Sequence, residues 1–256
     1  MEQLEKRTIK KLKIYGERNT GTNYFTKLVA KNIDVLMVSG NTPKMKIGSF
    51  TLPTGSNVFQ NLYFGTVWKS NLGWKHSTVL TSKLLREKDI DSIGFVTITK
   101  NPYSFLLSLY KRPYHYKGDR EVTFTEFLKN PWVVQGRDNH VARSYENPIM
   151  LWNAKNKSYL DLKKQLPEQT FNLTYETIIE DPEKVLKDLQ LLWELPGKTN
   201  FENHNTSTKE SNKSFDYYKD YYLNEQWREK LTEEDISIIN RFLDPQVVKF
   251  FGYSLL

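Results

Sequence analysis

Two short stretches of the 256-residue chain hold residues whose types and spacing suit anion binding. The first reads Gly16-Glu17-Arg18-Asn19-Thr20-Gly21-Thr22-Asn23-Tyr24. It follows a strand-like run, Ile9 to Tyr15, and leads into Tyr24, Phe25, Leu28, Val29 and Ile33, which are apolar at helical spacing. A strand, a tight polar loop and a helix start gather backbone N–H groups and the positive end of a helix dipole at one point. Gly16 and Gly21 allow a close backbone approach that a side chain would block. The second stretch is Lys100-Asn101-Pro102, followed by Ser104 and Ser108. It ends a β-rich run, Ile93 to Thr99; Asn is a favoured N-cap and Pro a favoured first helical residue. Lys100 places a cation at the strand end, and Ser104 and Ser108, four apart, share one helix face. Each stretch taken alone also suits an ordinary capped turn. Together they point to a ligand with two separated anionic groups.

Between them lies Trp74-Lys75-His76, an aromatic, a cation and an imidazole in sequence. An imidazole with an ordinary pKa of about 6.5 is a candidate general base. The spacing Gly16-x4-Gly21 is the glycine frame of a nucleotide P-loop, but Thr22 and Asn23 follow where that loop has Lys and Ser/Thr. The lysine for a γ-phosphate and the hydroxyl that holds Mg²⁺ are therefore missing.

The elements that must position these residues alternate along the chain. Strand-like runs at 9–15, 35–38, 93–99 and 170–175 are separated by helical patterns, among them 80–88, 102–112, 123–129, 148–166 and 183–193. A helix is also expected after the capping pair Thr232 and Asp235. Strands alternating with helices predict an α/β fold. Its form is a three-layer sandwich, a mostly parallel central sheet with helices on both faces and a P-loop-like strand–loop–helix. Ligands in such folds bind at the carboxyl ends of strands, where both anion-prone junctions lie. The expected organisation is one domain over 1–256, with irregular segments at 39–65 (a hairpin at 44–50) and 195–214, and a short strand at 66–69.

Composition narrows the function. The formal net charge is +7 and the pI about 9.2, which suits an anionic ligand. There is no cysteine, so disulfides, thiol catalysis and zinc–thiolate sites are excluded. The four histidines, His76, His115, His140 and His204, lack metal-ligand spacing, and no metal is expected. No window approaches a membrane span and the charged N-terminus has no apolar leader, so a cytoplasmic protein is expected.

Taken together, these motifs resemble those of the PAPS-dependent sulfotransferases, which use 3′-phosphoadenosine 5′-phosphosulfate (PAPS). Glu17 to Tyr24 is similar to the family's 5′-phosphosulfate loop, and specifically to a sulfotransferase-like branch whose loop reads E-R-N-T-G-T-N-Y. Lys100-Asn101-Pro102 with Ser108 resembles the 3′-phosphate motif. The Tyr175-Glu176 pair resembles a segment whose tyrosine lies against adenine, and His76 falls where the family often keeps its catalytic histidine. The resemblance implies PAPS as sulfuryl donor, PAP (3′-phosphoadenosine 5′-phosphate) as product and no metal. It places Arg18, Asn19, Thr20, Gly21, Thr22, Asn23, Tyr24, Lys100, Ser108, Tyr175 and Lys213 at the nucleotide, Lys213 with Lys209 as candidates from a C-terminal basic loop. His76 would be the base, Lys75 would stabilise the bridging oxygen and Arg18 would sit by the transferring group. The chain departs from the pattern twice. Arg18 and Asn19 stand where the loop lysine is usual, and Lys100 replaces the usual Arg, losing the bidentate fork.

Trp68, Trp74, Tyr114 and Tyr116 are candidates to line the acceptor cleft. The acceptor would offer a hydroxyl or amine, with a carbohydrate or small molecule favoured. Two other readings stay open: a P-loop kinase-like phosphotransferase using ATP, and a non-enzymatic nucleotide-binding module. No RNA- or DNA-binding signature is present, so no nucleic-acid partner is expected.

Overall fold

The computed structural model describes residues 8–43, 46–47, 50–51, 56–66, 71–114, 121–139, 142–198, 200–206 and 213–256. Trp68, Tyr116, His115, His140 and Lys209 lie outside them, as does the strand expected at 66–69 apart from Thr66, which is the last residue of a helix. In chain order the elements are β1 (Lys11–Gly16), α1 (Thr22–Asn32), β2 (Leu36–Met37), β3 (Lys46–Ile47), β4 (Phe50–Thr51), α2 (Asn57–Thr66), α3 (Thr81–Leu84) and β5 (Ile93–Thr99). There follow α4 (Pro102–Lys111), α5 (Phe124–Lys129), β6 (Trp132–Val133), β7 (Ser144–Tyr145), α6 (Pro148–Gln165), β8 (Thr170–Thr174) and α7 (Tyr175–Glu180). The chain closes with α8 (Pro182–Trp193), α9 (Phe215–Leu223), α10 (Glu233–Phe242) and α11 (Pro245–Phe250).

The main sheet has the order β2-β1-β5-β8, and each pairing is parallel. β1 and β5 run side by side from Lys11↔Ile93 to Gly16↔Ile98, so their carboxyl ends, where the two polar loops begin, are neighbours. Both faces of the sheet are apolar, because successive side chains point to opposite sides. Leu12, Ile14, Val96 and Ile98 pack with Phe25, Leu28 and Val29 of α1 and Val185, Leu186 and Leu189 of α8. Tyr15, Ile93 and Phe95 pack on the other side with Phe105 and Leu106 of α4, Trp152 and Tyr159 of α6, and Ile239 of α10. The result is the expected three-layer α/β sandwich. Burying these side chains at roughly 1.5–3 kcal/mol each fixes the sheet that carries the loops. Among the described residues no helix is long and apolar enough to cross a membrane.

Local signals set most helix ends. Asn101 caps α4 by accepting from the N–H groups of Tyr103 (3.1 Å) and Ser104 (3.4 Å), and Pro102 opens the first turn. Thr232 and Asp235 form the capping box of α10. Two expectations change. The segment 39–65 is not irregular throughout: α2 occupies its C-terminal part, started by Ser56, whose Oγ accepts from Phe59 N at 3.2 Å. Neighbouring Gly and Pro residues hid this helix. The expected 80–88 helix shrinks to the single turn α3. Thr81 and Leu84 are buried there, while Leu85 is exposed, so a second turn has no apolar face to bury. Before α10, a capped helix at 215–223 precedes a 3₁₀ turn at 226–230.

Candidate functional site

The first junction forms a bent loop between β1 and α1. Asn19 has φ 69° and Gly21 φ 82°, both left-handed. Gly21 stands at the N-cap of α1 and no side chain caps that helix. A Cβ on Gly21 would lie 2.5 Å from Cδ2 of Tyr175, so only glycine admits both the torsion and the ring. Lys75 reaches this loop from a separate segment of the chain. Its Nζ donates to Oδ1 of Asn23 at 2.6 Å, in the first turn of α1.

At the second junction Lys100 is buried, and its Nζ donates to Oγ of Ser108 at 2.9 Å. The same ammonium lies 3.8 Å from the ring centre of Tyr222 and 5.3 Å from that of Tyr175. Burial lowers the Lys100 pKa to about 7, against the opposing pull of Glu176. Glu176 is held in turn by Asn101 N (3.1 Å) and the Tyr253 hydroxyl (2.7 Å), and burial raises its pKa.

His76 closes the gap between the loops. Its Nδ1 lies 2.6 Å from the carbonyl oxygen of Gly16. A carbonyl only accepts, so Nδ1 carries the proton and Nε2 is left as the basic nitrogen. The N–H of Gly16 donates to the carbonyl of Lys75 at 2.9 Å, so segment 75–76 is laced to the end of β1. Burial, then the cations Arg18 and Lys75, push the His76 pKa well below the ordinary imidazole value; the Gly16 carbonyl opposes them. The imidazole is therefore neutral at physiological pH.

Behind it lies a buried ion pair. Lys155 of α6, 1% exposed in its side chain, meets Oε2 of Glu17 at 3.0 Å and also donates to the carbonyl of His76. Glu17 Oε1 accepts from Arg18 N at 2.7 Å. Burial alone would raise the Glu17 pKa, but Lys155 and Arg18 outweigh it and the net shift is downward. Lys13 anchors the same region from the sheet. Its buried Nζ donates to the carbonyls of Gly73 (2.6 Å), Ser39 (3.3 Å) and Asn71, and burial followed by the Lys75 charge lowers its pKa to about 7.

Both junctions and His76 open onto one cavity of about 910 Å³. Every charged residue lining it is a lysine or an arginine; no Asp or Glu lines it among the described residues. Tyr175 and the tyrosines of α9, Tyr217, Tyr218, Tyr221 and Tyr222, wall the end near Lys100. Beyond His76 the wall is Trp74, whose ring edge meets the imidazole at 5.1 Å between centres. Arg18 and Arg137 each lie 4.4 Å from the Trp74 ring centre, and Arg18 lies 5.1 Å from that of Tyr114.

No family model and no curated protein matches the sequence. Solved structures do. A sulfotransferase from Alicyclobacillus acidocaldarius aligns over 95% of this chain and 96% of its own, at 16% identity and a TM-score of 0.50. The sulfotransferase domain of the Synechococcus PCC 7002 olefin synthase aligns over 98% of each chain, at 13% identity and a TM-score of 0.48. That of the curacin biosynthetic pathway covers 97% of this chain and 99% of its own, at 12% identity and a TM-score of 0.44. The fold is sulfotransferase-like.

In this sulfotransferase-like fold the described donor-site and catalytic candidates singled out by sequence fall into two groups. Arg18, Asn19, Gly21, Thr22, Asn23, Tyr24, Lys75, His76, Lys100, Ser108, Tyr175 and Lys213 all line the one cavity. Thr20 does not: it is buried, and its Oγ1 donates to the Glu17 carbonyl at 2.7 Å, bracing the loop from within. Lys213 reaches the cavity beside Tyr217, whose hydroxyl accepts from its Nζ at 3.0 Å. Sequence reasoning passed over Arg137, the Glu17–Lys155 pair and the four tyrosines of α9. The tyrosines had a signal, two Tyr-Tyr pairs four residues apart, which puts each pair's counterpart on the same helix face. Arg137 and Lys155 had none, because their partners are distant in sequence.

Proposed function

We propose that this chain is a single-domain, PAPS-dependent sulfotransferase that moves a sulfuryl group to a hydroxyl or amine. The observation that carries the reading is the convergence of two strand-end anion sites and a neutral, oriented imidazole on one cation-lined cavity. The residues present fit the donor. The uncapped start of α1 and Lys75 suit the 5′-phosphosulfate, Lys100 and Ser108 suit the 3′-phosphate, and Tyr175 with Tyr222 offers ring faces for adenine. Lys213 adds charge at that end.

When bound, PAPS supplies an activated sulfuryl group, whose bond to the 5′-phosphate oxygen breaks as the acceptor oxygen or nitrogen bonds to sulfur. His76 Nε2 takes the acceptor's proton, with Nδ1 held on Gly16 so that the ring keeps its tautomer. Lys75 and Arg18 supply fixed positive charge where charge develops, in the manner of phosphoryl transfer. The sequence assigned the same roles to these three residues; the geometry supporting them is their common place in the cavity wall.

The test is PAP binding followed by thermal shift and calorimetry without Mg²⁺. The expected result is a raised melting temperature that Lys100→Ala and Arg18→Ala diminish. Absence of binding at millimolar PAP would overturn the reading.

A further inference from the structure

The segment from Asn71 to His76 delivers the imidazole, and every one of its backbone carbonyls accepts a hydrogen bond. Two buried side chains of β1 donate to the first three. Lys13 Nζ donates to the carbonyl of Asn71 and, at 2.6 Å, to that of Gly73; the Tyr15 hydroxyl donates to that of Leu72 at 2.5 Å. The Ser77 N–H then donates to the Trp74 carbonyl at 3.0 Å, and the Gly16 N–H to the Lys75 carbonyl at 2.9 Å. Lys155 of α6 donates to the His76 carbonyl. Lys13 and Tyr15 are two apart on a strand, so both project from one face of the sheet.

This bonding holds an unfavourable backbone. Leu72 has φ 53° and Gly73 φ 85°. A leucine in the left-handed region is strained and persists only where its surroundings fix it. The side chains of β1 bond to the carbonyls at this turn. Lys13 makes a third contact, to the Ser39 carbonyl at 3.3 Å, so the three N–H donors of an ammonium meet three carbonyls. Burying a lysine inside a strand is costly, and here its donors serve the loop.

We infer that Lys13 and Tyr15 are positioning residues for His76: they fix the turn at 71–73 and thereby the direction in which the chain brings the imidazole to Gly16. The inference rests on the reading of His76 as the base and names what holds that base in place. The turn sets the path of Trp74 and Lys75. The Lys75 carbonyl meets the Gly16 N–H, and His76 Nδ1 then reaches the Gly16 carbonyl at 2.6 Å. Neither Lys13 nor Tyr15 lines the cavity, so both act through His76. Without their donors the left-handed turn relaxes, and Nδ1 is no longer held on Gly16.

The experiment is nitrogen NMR of the full chain labelled at histidine, without nucleotide. The His76 signals are identified by their loss in His76→Gln. In wild type His76 should show one protonated and one unprotonated ring nitrogen, the Nδ1–H tautomer, and should titrate well below the ordinary value of about 6.5. Lys13→Met should give averaged tautomers and a titration moved up towards about 6.5, with PAP affinity unchanged in calorimetry. Tyr15→Phe removes one hydroxyl and should produce the same change in smaller measure; it decides the matter if Lys13→Met does not fold. Leu186→Ala truncates the core on the other face of the sheet and should leave the His76 signals as in wild type. Three results would overturn the proposal: mixed tautomers in wild type, an unchanged His76 in the deciding variant, or an equal change in Leu186→Ala. If PAP fails to bind wild type while His76 responds as expected, the donor reading falls and the placement of His76 stands.

Discussion

The two ends of the cavity are built by different means. At the end proposed for the nucleotide, the candidate binding groups come from two contiguous strand–loop–helix segments, and backbone geometry does much of the placing. Gly21 at φ 82°, the uncapped first turn of α1 and the Asn101 cap of α4 are fixed by residues a few positions apart. At the other end, Trp74, Tyr114 and Arg137 come from three separate segments, tied by ring–guanidinium contacts and by α2. The first construction is set by signals that act over a few residues. The second depends on side chains alone, so it can change without disturbing the sheet. His76 joins the two, since it bonds to Gly16 on one side and packs on Trp74 on the other.

If that division is right, substitutions at each end have separable effects. The largest belongs to the joint. His76→Ala should lower turnover by about 10²–10⁴-fold while leaving the PAP-induced thermal shift unchanged. Loss of binding together with turnover would mean that the ends are not independent. Next comes the ion pair beneath both. Glu17→Gln leaves Lys155 as a buried cation without its anion and should cost about 3–5 kcal/mol in urea unfolding. A cost below 1 kcal/mol would show that Lys155 has another way to settle its charge.

Lys100→Ala should weaken PAP binding by about 1.5–3 kcal/mol without altering any preference among acceptors, a split that calorimetry reads directly. The smallest effect is a pH slope at the nucleotide end. Burial lowers the Lys100 pKa to about 7, so the lysine is mostly neutral above that pH until a phosphate draws a proton onto it. PAP affinity should therefore fall as pH rises from about 7 to about 9, with proton uptake on binding; a flat profile would remove Lys100 from the phosphate site. The same lowering at Lys13 and Lys100 means that the folded chain binds fewer protons than the unfolded one, so stability without ligand should rise with pH over this range.

The contrast also explains what could be read in advance. Strand ends, the Asn101-Pro102 cap and the two glycines are short-range signals, and each fell where expected. The helix α2 was concealed because Pro53 and Gly55 precede it and Gly65 falls in its last turn, so breakers outweighed its apolar spacing. Thr20 carried the right chemistry for a phosphate loop, yet the tight turn folds its hydroxyl inward onto the Glu17 carbonyl.

By itself the sequence determined the alternation of strands and helices, the two anion-prone junctions and the identity of His76 as the imidazole between them. These follow from periodicity, capping and torsional preference, which act over a few residues. Only the tertiary structure decided that Lys75 meets Asn23 at the start of α1, that Lys155 secures Glu17 behind His76, and that Arg137 reaches Trp74. Those contacts join residues far apart in the chain, and they arise only when the parallel sheet brings distant loops to the same edge.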